Sequence, residues 1–237
     1  MAQQLTFDLP SETALGRGDF FVSPSNAVAV DTIQTWHDWP QGKLLLIGPE
    51  GSGKTHLAHV WAAMTGARII AAKTLPEVEI AALAAGPVVV ENADEIAGNA
   101  EAEQALFHLH NLTQSNGSAL LLSAQKLPAR WELSLPDLQS RIQGSAMVSI
   151  QPPDDELLAA VLIKLFADRQ LAVEADLVSY LLSRMERSFV GASRAVAALD
   201  HAALTQKRRM NRTLAGEILD ELEQNGQAQD EPGQAAS

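Results

Sequence analysis

The chain has 237 residues, with 17 lysines and arginines against 29 aspartates and glutamates, so its formal charge is −12. That balance argues against a protein that grips DNA on its own, because duplex binding is dominated by basic groups on phosphates. Hydrophobic residues at 46% and charged residues at 19% suit a globular chain with one large core and a smaller satellite, and zero cysteines exclude disulfides, thiolate nucleophiles and Cys-based zinc sites. Residues 1–18 are polar and turn-rich apart from the alternation Leu5, Phe7, Leu9. No apolar run approaches the roughly 18 residues of a membrane span, and the N-terminus has no signal core, so a cytoplasmic protein without a membrane partner is expected.

Residues 19–152 read as an α/β domain. Brief apolar runs at 44–47, 88–90 and 120–122, with weaker ones at 68–71 and 146–150, alternate with segments long enough for helices. Runs of this kind are strands buried on both faces, which predicts a parallel five-stranded sheet. After Pro152-Pro153 the pattern changes to helices. Asp154 can cap one carrying Leu157, Leu158, Val161, Leu162, Leu165 and Phe166. A second pattern holds Leu177, Val178, Leu181, Leu182 and Met185, a third Val196, Leu199 and Ala203, and a short one falls near 214–222. Residues 153–223 are thus expected to form a small α-helical domain, and 224–237 a disordered acidic tail.

The strongest signal is Gly48-Pro49-Glu50-Gly51-Ser52-Gly53-Lys54-Thr55, directly after the first strand and opening the helical run that starts at His56. Its chemistry needs that order. Glycines let backbone N–H groups curl around phosphates, the helix N-terminus adds positive potential, Lys54 reaches the β/γ-phosphates, and the Thr55 hydroxyl ligates Mg²⁺. A nucleotide site of this kind also needs an acid at the end of a neighbouring strand. Val88-Val89-Val90-Glu91-Asn92 supplies Glu91, which can hold magnesium through water, while Asn92 cannot take a proton and argues against strong intrinsic hydrolysis. Asp94 and Glu95, beyond the strand, read as solvated loop carboxylates.

From about Asp19 to Asp220 the sequence resembles the AAA+ ATPases of the bacterial initiator group, the DnaA/Hda clade. The landmarks are Phe20-Phe21-Val22-Ser23-Pro24-Ser25-Asn26, Gly53-Lys54-Thr55-His56-Leu57, Leu106-Phe107-His108-Leu109, Leu122-Ser123-Ala124 and Leu135-Pro136-Asp137-Leu138-Gln139-Ser140-Arg141. The resemblance implies an AAA+ P-loop domain with a helical lid, binding ADP or ATP. It places Val22 and Asn26 against adenine, Gly48, Gly51, Ser52, Gly53, Lys54, Thr55 and His56 on the phosphates, and Ser123 as the polar sensor of the γ-phosphate. Arg194 matches the second sensor, from the lid; pairing with Glu186 or Asp200 is an equal alternative. Arg141 matches an arginine finger acting in trans on a neighbour's γ-phosphate, although outside that family context a surface charge is the plainer account.

The sequence does not continue from the small helical domain into the helix-turn-helix module of DnaA, so direct sequence-specific DNA binding is not expected. Lys207-Arg208-Arg209 with Arg212 reads as a solvated helix end. Gln4, Leu5, Phe7 and Leu9 resemble the peptide with which bacterial partners dock on the DNA polymerase III sliding clamp (β subunit), alternate side chains entering pockets. The histidine pairs His56/His59 and His108/His110 lack acidic or Cys partners at ligand spacing, and the four tryptophans read as core or interface anchors. The combination implies negative regulation of replication initiation, in which Arg141 promotes hydrolysis of ATP held by DnaA. An autonomous helicase-loader-type ATPase and a non-hydrolytic adaptor are the alternatives, and homo-oligomerisation stays open.

Overall fold

The computed structural model describes residues 21–229. Five strands form one parallel sheet: β1 (Lys43–Ile47), β2 (Arg68–Ala71), β3 (Val88–Glu91), β4 (Leu120–Ala124) and β5 (Ala146–Ser149), in the order β2-β3-β4-β1-β5. Every residue of β1 and β4 is buried, as the unbroken apolar runs require of central parallel strands. Successive side chains of β1 serve two different cores. Leu45 and Ile47 join Val88, Val90, Leu120 and Leu122 under α4 (Ala100–Ser115) and α5 (Pro136–Gln143). Leu44 and Leu46 face α1 (Ala27–Gln34) and α2 (Lys54–Thr65), where Trp61 is stacked on Trp39 at 5.1 Å. A one-residue slip would exchange the two sets, so register is fixed from both sides. A short α3 (Ile80–Leu83) precedes β3.

The helical region packs around its own core: α6 (Asp155–Asp168), α7 (Ala175–Arg184), α8 (Phe189–Gln206) and α9 (Arg212–Gln229). Asp154 caps α6, accepting from Leu157 N–H at 2.8 Å. Burial pushes its carboxyl up, but hydrogen bonds from Leu157, Ser23 and Ser25 outweigh that and hold it below the usual aspartate range. Those bonds tie the start of the helical domain to the turn before α1.

The last helix differs from expectation. It runs to Gln229 rather than ending near 222, so residues 224–229, read from sequence as disordered tail, are helical. The segment includes Asn225 and Gly226, both poor helix formers, so local propensity does not explain the extension. Trp39, Trp61 and Trp131 are buried, consistent with anchoring roles. Arg208 pairs with Glu217 at 2.5 Å and Arg212 with Asp176 at 3.1 Å on the surface, so the basic cluster is a solvated, paired helix end. No described helix is long and apolar enough to cross a membrane.

Candidate functional site

A cavity of about 770 Å³ opens where the carboxyl end of β1 meets the helical domain, the usual place for a ligand in an open parallel sheet. The glycine-rich loop forms its floor. Gly51 and Gly53 have φ of 70° and 96°, a region that only glycine enters freely, and this curls the loop before α2 begins at Lys54. The Lys54 ammonium is buried and donates to the carbonyls of Gly48 (2.7 Å) and Pro49 (2.8 Å). Burial lowers its pKa, opposed by the charges of Asp94 and Glu50. Thr55 and His56 line the cavity from the first turn of α2.

The neighbouring strand ends supply acids and a clamp. Glu91 closes β3, and its Oε1 is buried without a hydrogen-bond partner, as are Ser52 Oγ and Asp94 Oδ1. Asn92 has φ of 55°, lines the cavity, and donates its backbone N–H to Ser123 Oγ at 3.2 Å. Ser123 is buried and thus links the ends of β3 and β4 from behind the wall. Asp94 is not the solvated carboxylate read from sequence. It is buried, and its Oδ2 accepts from the N–H groups of Gln125 (3.1 Å) and Lys126 (3.0 Å), fixing the loop after β4. Folding brings that loop over a residue whose neighbours in sequence gave no sign of it. Glu95 is at the cavity rim and pairs with Lys73 at 2.7 Å.

The far end is apolar. Ile150, Leu157, Val161 and Leu165 contribute from the junction and α6, with Phe21 from the turn before α1. Val22, the sequence choice for this wall, is 42% exposed and lies outside it. Asn26 does line the cavity, but both ends of its amide hold the loop: Oδ1 accepts from Ser23 N–H and Nδ2 donates to the Phe21 carbonyl, each at 2.9 Å. Phe189, which sequence reading missed, stands over the phosphate loop. Its N–H donates to the Gly51 carbonyl at 3.3 Å, and a Cβ on Gly53 would meet its ring at 2.8 Å. Its place at the first position of α8 carried no motif.

An apolar end, a loop of backbone N–H groups beside a lysine, and unpartnered oxygens on Ser52 in the wall and on Glu91 and Asp94 outside the lining set fit a nucleoside phosphate with its cation. Thr55 and Glu91 are the residues that would hold Mg²⁺, Glu91 through water, and the cation would neutralise phosphate charge. Among the described residues no separate cluster of His, Asp and Glu could hold a metal.

No protein-family model matches the sequence. Among solved structures, domain III of the Thermotoga maritima replication initiation protein DnaA is similar with a TM-score of 0.74 at 17% identity, over 85% of this chain and 94% of that one. The fold is the AAA+ fold. AMPPCP-bound DnaA from Aquifex aeolicus is similar at a TM-score of 0.68 and 14% identity, over 88% of this chain and 68% of that one. A single-residue mutant of Thermotoga maritima RuvB gives 0.63 and 16%, over 84% and 68%.

Within this AAA+ framework the two arginines of interest lie far apart. Arg194 on α8 is exposed, 4.0 Å from Glu186 Oε2, and is not in the cavity wall, where its neighbour Ser193 is. Arg141, in the last turn of α5, is at the other end of the sheet beside Lys43, the first residue of β1. The phosphate loop follows the last residue of β1, so the strand's length of about 15 Å separates the two. Gln4, Leu5, Phe7 and Leu9 lie outside the described residues.

Proposed function

We propose that this chain binds an adenine nucleotide, ADP or ATP with Mg²⁺, and acts as a regulator of replication initiation in the manner of Hda. In this reading it attaches to the sliding clamp through Gln4, Leu5, Phe7 and Leu9 and presents Arg141 to ATP held by DnaA, promoting its hydrolysis. The observation that carries the reading is the position of Arg141. It sits at the amino end of β1, exposed and across the sheet from its own phosphate loop, so a nucleotide role for it is a role on another molecule. Asn92, facing the chain's own site without a titratable group, agrees with chemistry done elsewhere.

The test is hydrolysis of DnaA-bound ATP with clamp-loaded DNA. The wild-type chain should accelerate it, and Arg141→Ala should lose at least about 100-fold of the stimulation while keeping ADP affinity. Full activity in Arg141→Ala would make the chain an adaptor, and rapid ATP turnover by the isolated chain, indifferent to DnaA, would make it an autonomous ATPase. A Gln4→Ala, Leu5→Ala double variant should lose clamp capture.

A further inference from the structure

A second cavity, of about 480 Å³, opens at the amino end of the sheet, and its wall includes Lys43, His110, Asp137, Ser140 and Arg141. Lys43 is 3% exposed and His110 2%. The Lys43 ammonium bonds His110 Nδ1 at 3.2 Å and Gln114 Oε1 at 3.1 Å, which uses two of its three N–H groups. Because Nδ1 accepts from an ammonium, the ring proton is on Nε2, and that nitrogen is buried without a hydrogen-bond partner. Arg141 adds a guanidinium. Asp137 is the carboxylate in this wall, and among the described residues it makes no ion pair with Lys43 or Arg141.

A buried cation normally sits beside a carboxylate. Among the described residues Lys43 makes no such pair, and the charge that acts on it is that of another cation, Arg141. Burial and then Arg141 lower Lys43 to about 8, and burial followed by the charges of Lys43 and Arg141 lowers His110 to about 4, with Asn111 opposing. Two cations, Lys43 and Arg141, line the wall against one carboxylate, Asp137, so its balance of charge is positive.

We infer that this cavity is a phosphate-binding site in which Lys43, positioned by His110 and Gln114, acts as a second cation beside Arg141. The ligand class is a phosphate oxyanion, arriving either free or as the terminal phosphate of a nucleotide carried by a partner. The inference goes beyond the role proposed for Arg141 and does not require it, because Lys43 has a donor left over after its bonds to His110 and Gln114.

The experiment uses the full chain saturated with ADP, so that the phosphate loop is occupied, and titrates inorganic phosphate while following the imidazole resonances by NMR. The His110 signals should shift saturably, with an apparent dissociation constant of about 1–10 mM. Lys43→Gln and Arg141→Gln should each weaken that binding at least tenfold, with ADP affinity changed less than twofold. The absence of a saturable His110 shift, or a shift of equal midpoint in Lys43→Gln, overturns the site even if either variant folds poorly, since the wild-type titration stands alone. The hydrolysis assay separates the two sources. If Lys43→Gln also loses at least tenfold of the stimulation, the phosphate belongs to a partner's nucleotide; if it loses phosphate binding alone, the ligand is free anion. Arg141→Ala retaining stimulation would sink the regulatory reading and leave the phosphate site in place.

Discussion

At the level of single residues, the groups that matter most here are buried charges, and they divide by whether their partners are complete. Glu103 on α4 is fully buried and accepts four hydrogen bonds, from Gly98 N–H (2.9 Å), Ser134 N–H (3.1 Å), Ser134 Oγ (2.9 Å) and Leu135 N–H (2.8 Å). Burial would raise its pKa, but the bonds from Ser134, Gly98 and Leu135 outweigh that and lower it. Glu103→Ala orphans three backbone donors and should cost about 3 kcal/mol in a urea titration. The carboxylate's extra contribution is present above its ordinary value of 4.5 and is lost as pH falls through the depressed folded value. Glu103→Gln should therefore show a shallower acid unfolding than the wild type. Lys43 is shifted in the same direction, but here burial disfavours the charged form. With its pKa lowered from 10.5 to about 8, the unfolded chain binds more protons between those values, so stability rises with pH across that window. Against Lys43→Met, the wild type should gain on the order of 2 kcal/mol between pH 8 and 10.5, measured as the difference of two urea titrations.

Among the elements, α5 and α8 carry the functional geometry because their first turns are held from elsewhere. Leu135, the residue before α5, donates to Glu103 of α4, so the helix bearing Arg141 is aimed by a carboxylate distant in sequence. Ser188 caps α8 by accepting from Gly191 N–H at 2.8 Å, and it lies directly against the phosphate loop. A Cβ added to Gly51 would fall 2.5 Å from Ser188 Cβ, at a φ of 70° that already disfavours a side chain. Gly51→Ala should weaken ADP binding at least tenfold and speed hydrogen exchange at the amino end of α8, while the Trp39–Trp61 core keeps its protection. Equal exchange in α8 would show that the helix does not depend on the loop for its position.

For the whole molecule, the cavity proposed to hold a nucleotide is built from both cores, with the glycine-rich loop on one side and α6 and α8 on the other. A ligand bound across that junction couples the two. ADP at 100 times its dissociation constant should stabilise the fold by about 2.7 kcal/mol, a rise in Tm of roughly 5–10 °C. Lys54→Ala should abolish most of that rise in a thermal scan with and without ADP, because it removes the buried ammonium at the loop. A full shift in Lys54→Ala would mean that the ligand binds elsewhere.

The central strands were legible because their residues are apolar on both faces, a pattern that a covered parallel sheet satisfies; the edge strand β2, half-exposed, still begins and ends where composition placed it. The phosphate loop was legible because its chemistry is local: glycines, lysine and threonine must be consecutive to wrap one group. Asp94, Phe189 and the Lys43–His110 pair carried no such mark. Their partners are 31 residues or more away in the chain, or across the junction between the two cores, so only packing decides whether a carboxylate is solvated or clamped. The sequence by itself determined the sheet, the helical region and the glycine-rich loop that floors the first cavity, since each is set by spacing along a few residues. Tertiary structure alone decided that Arg141 faces away from that motif and shares a cavity with an unneutralised lysine, because which end of a sheet a helix terminates against depends on how the chain crosses it.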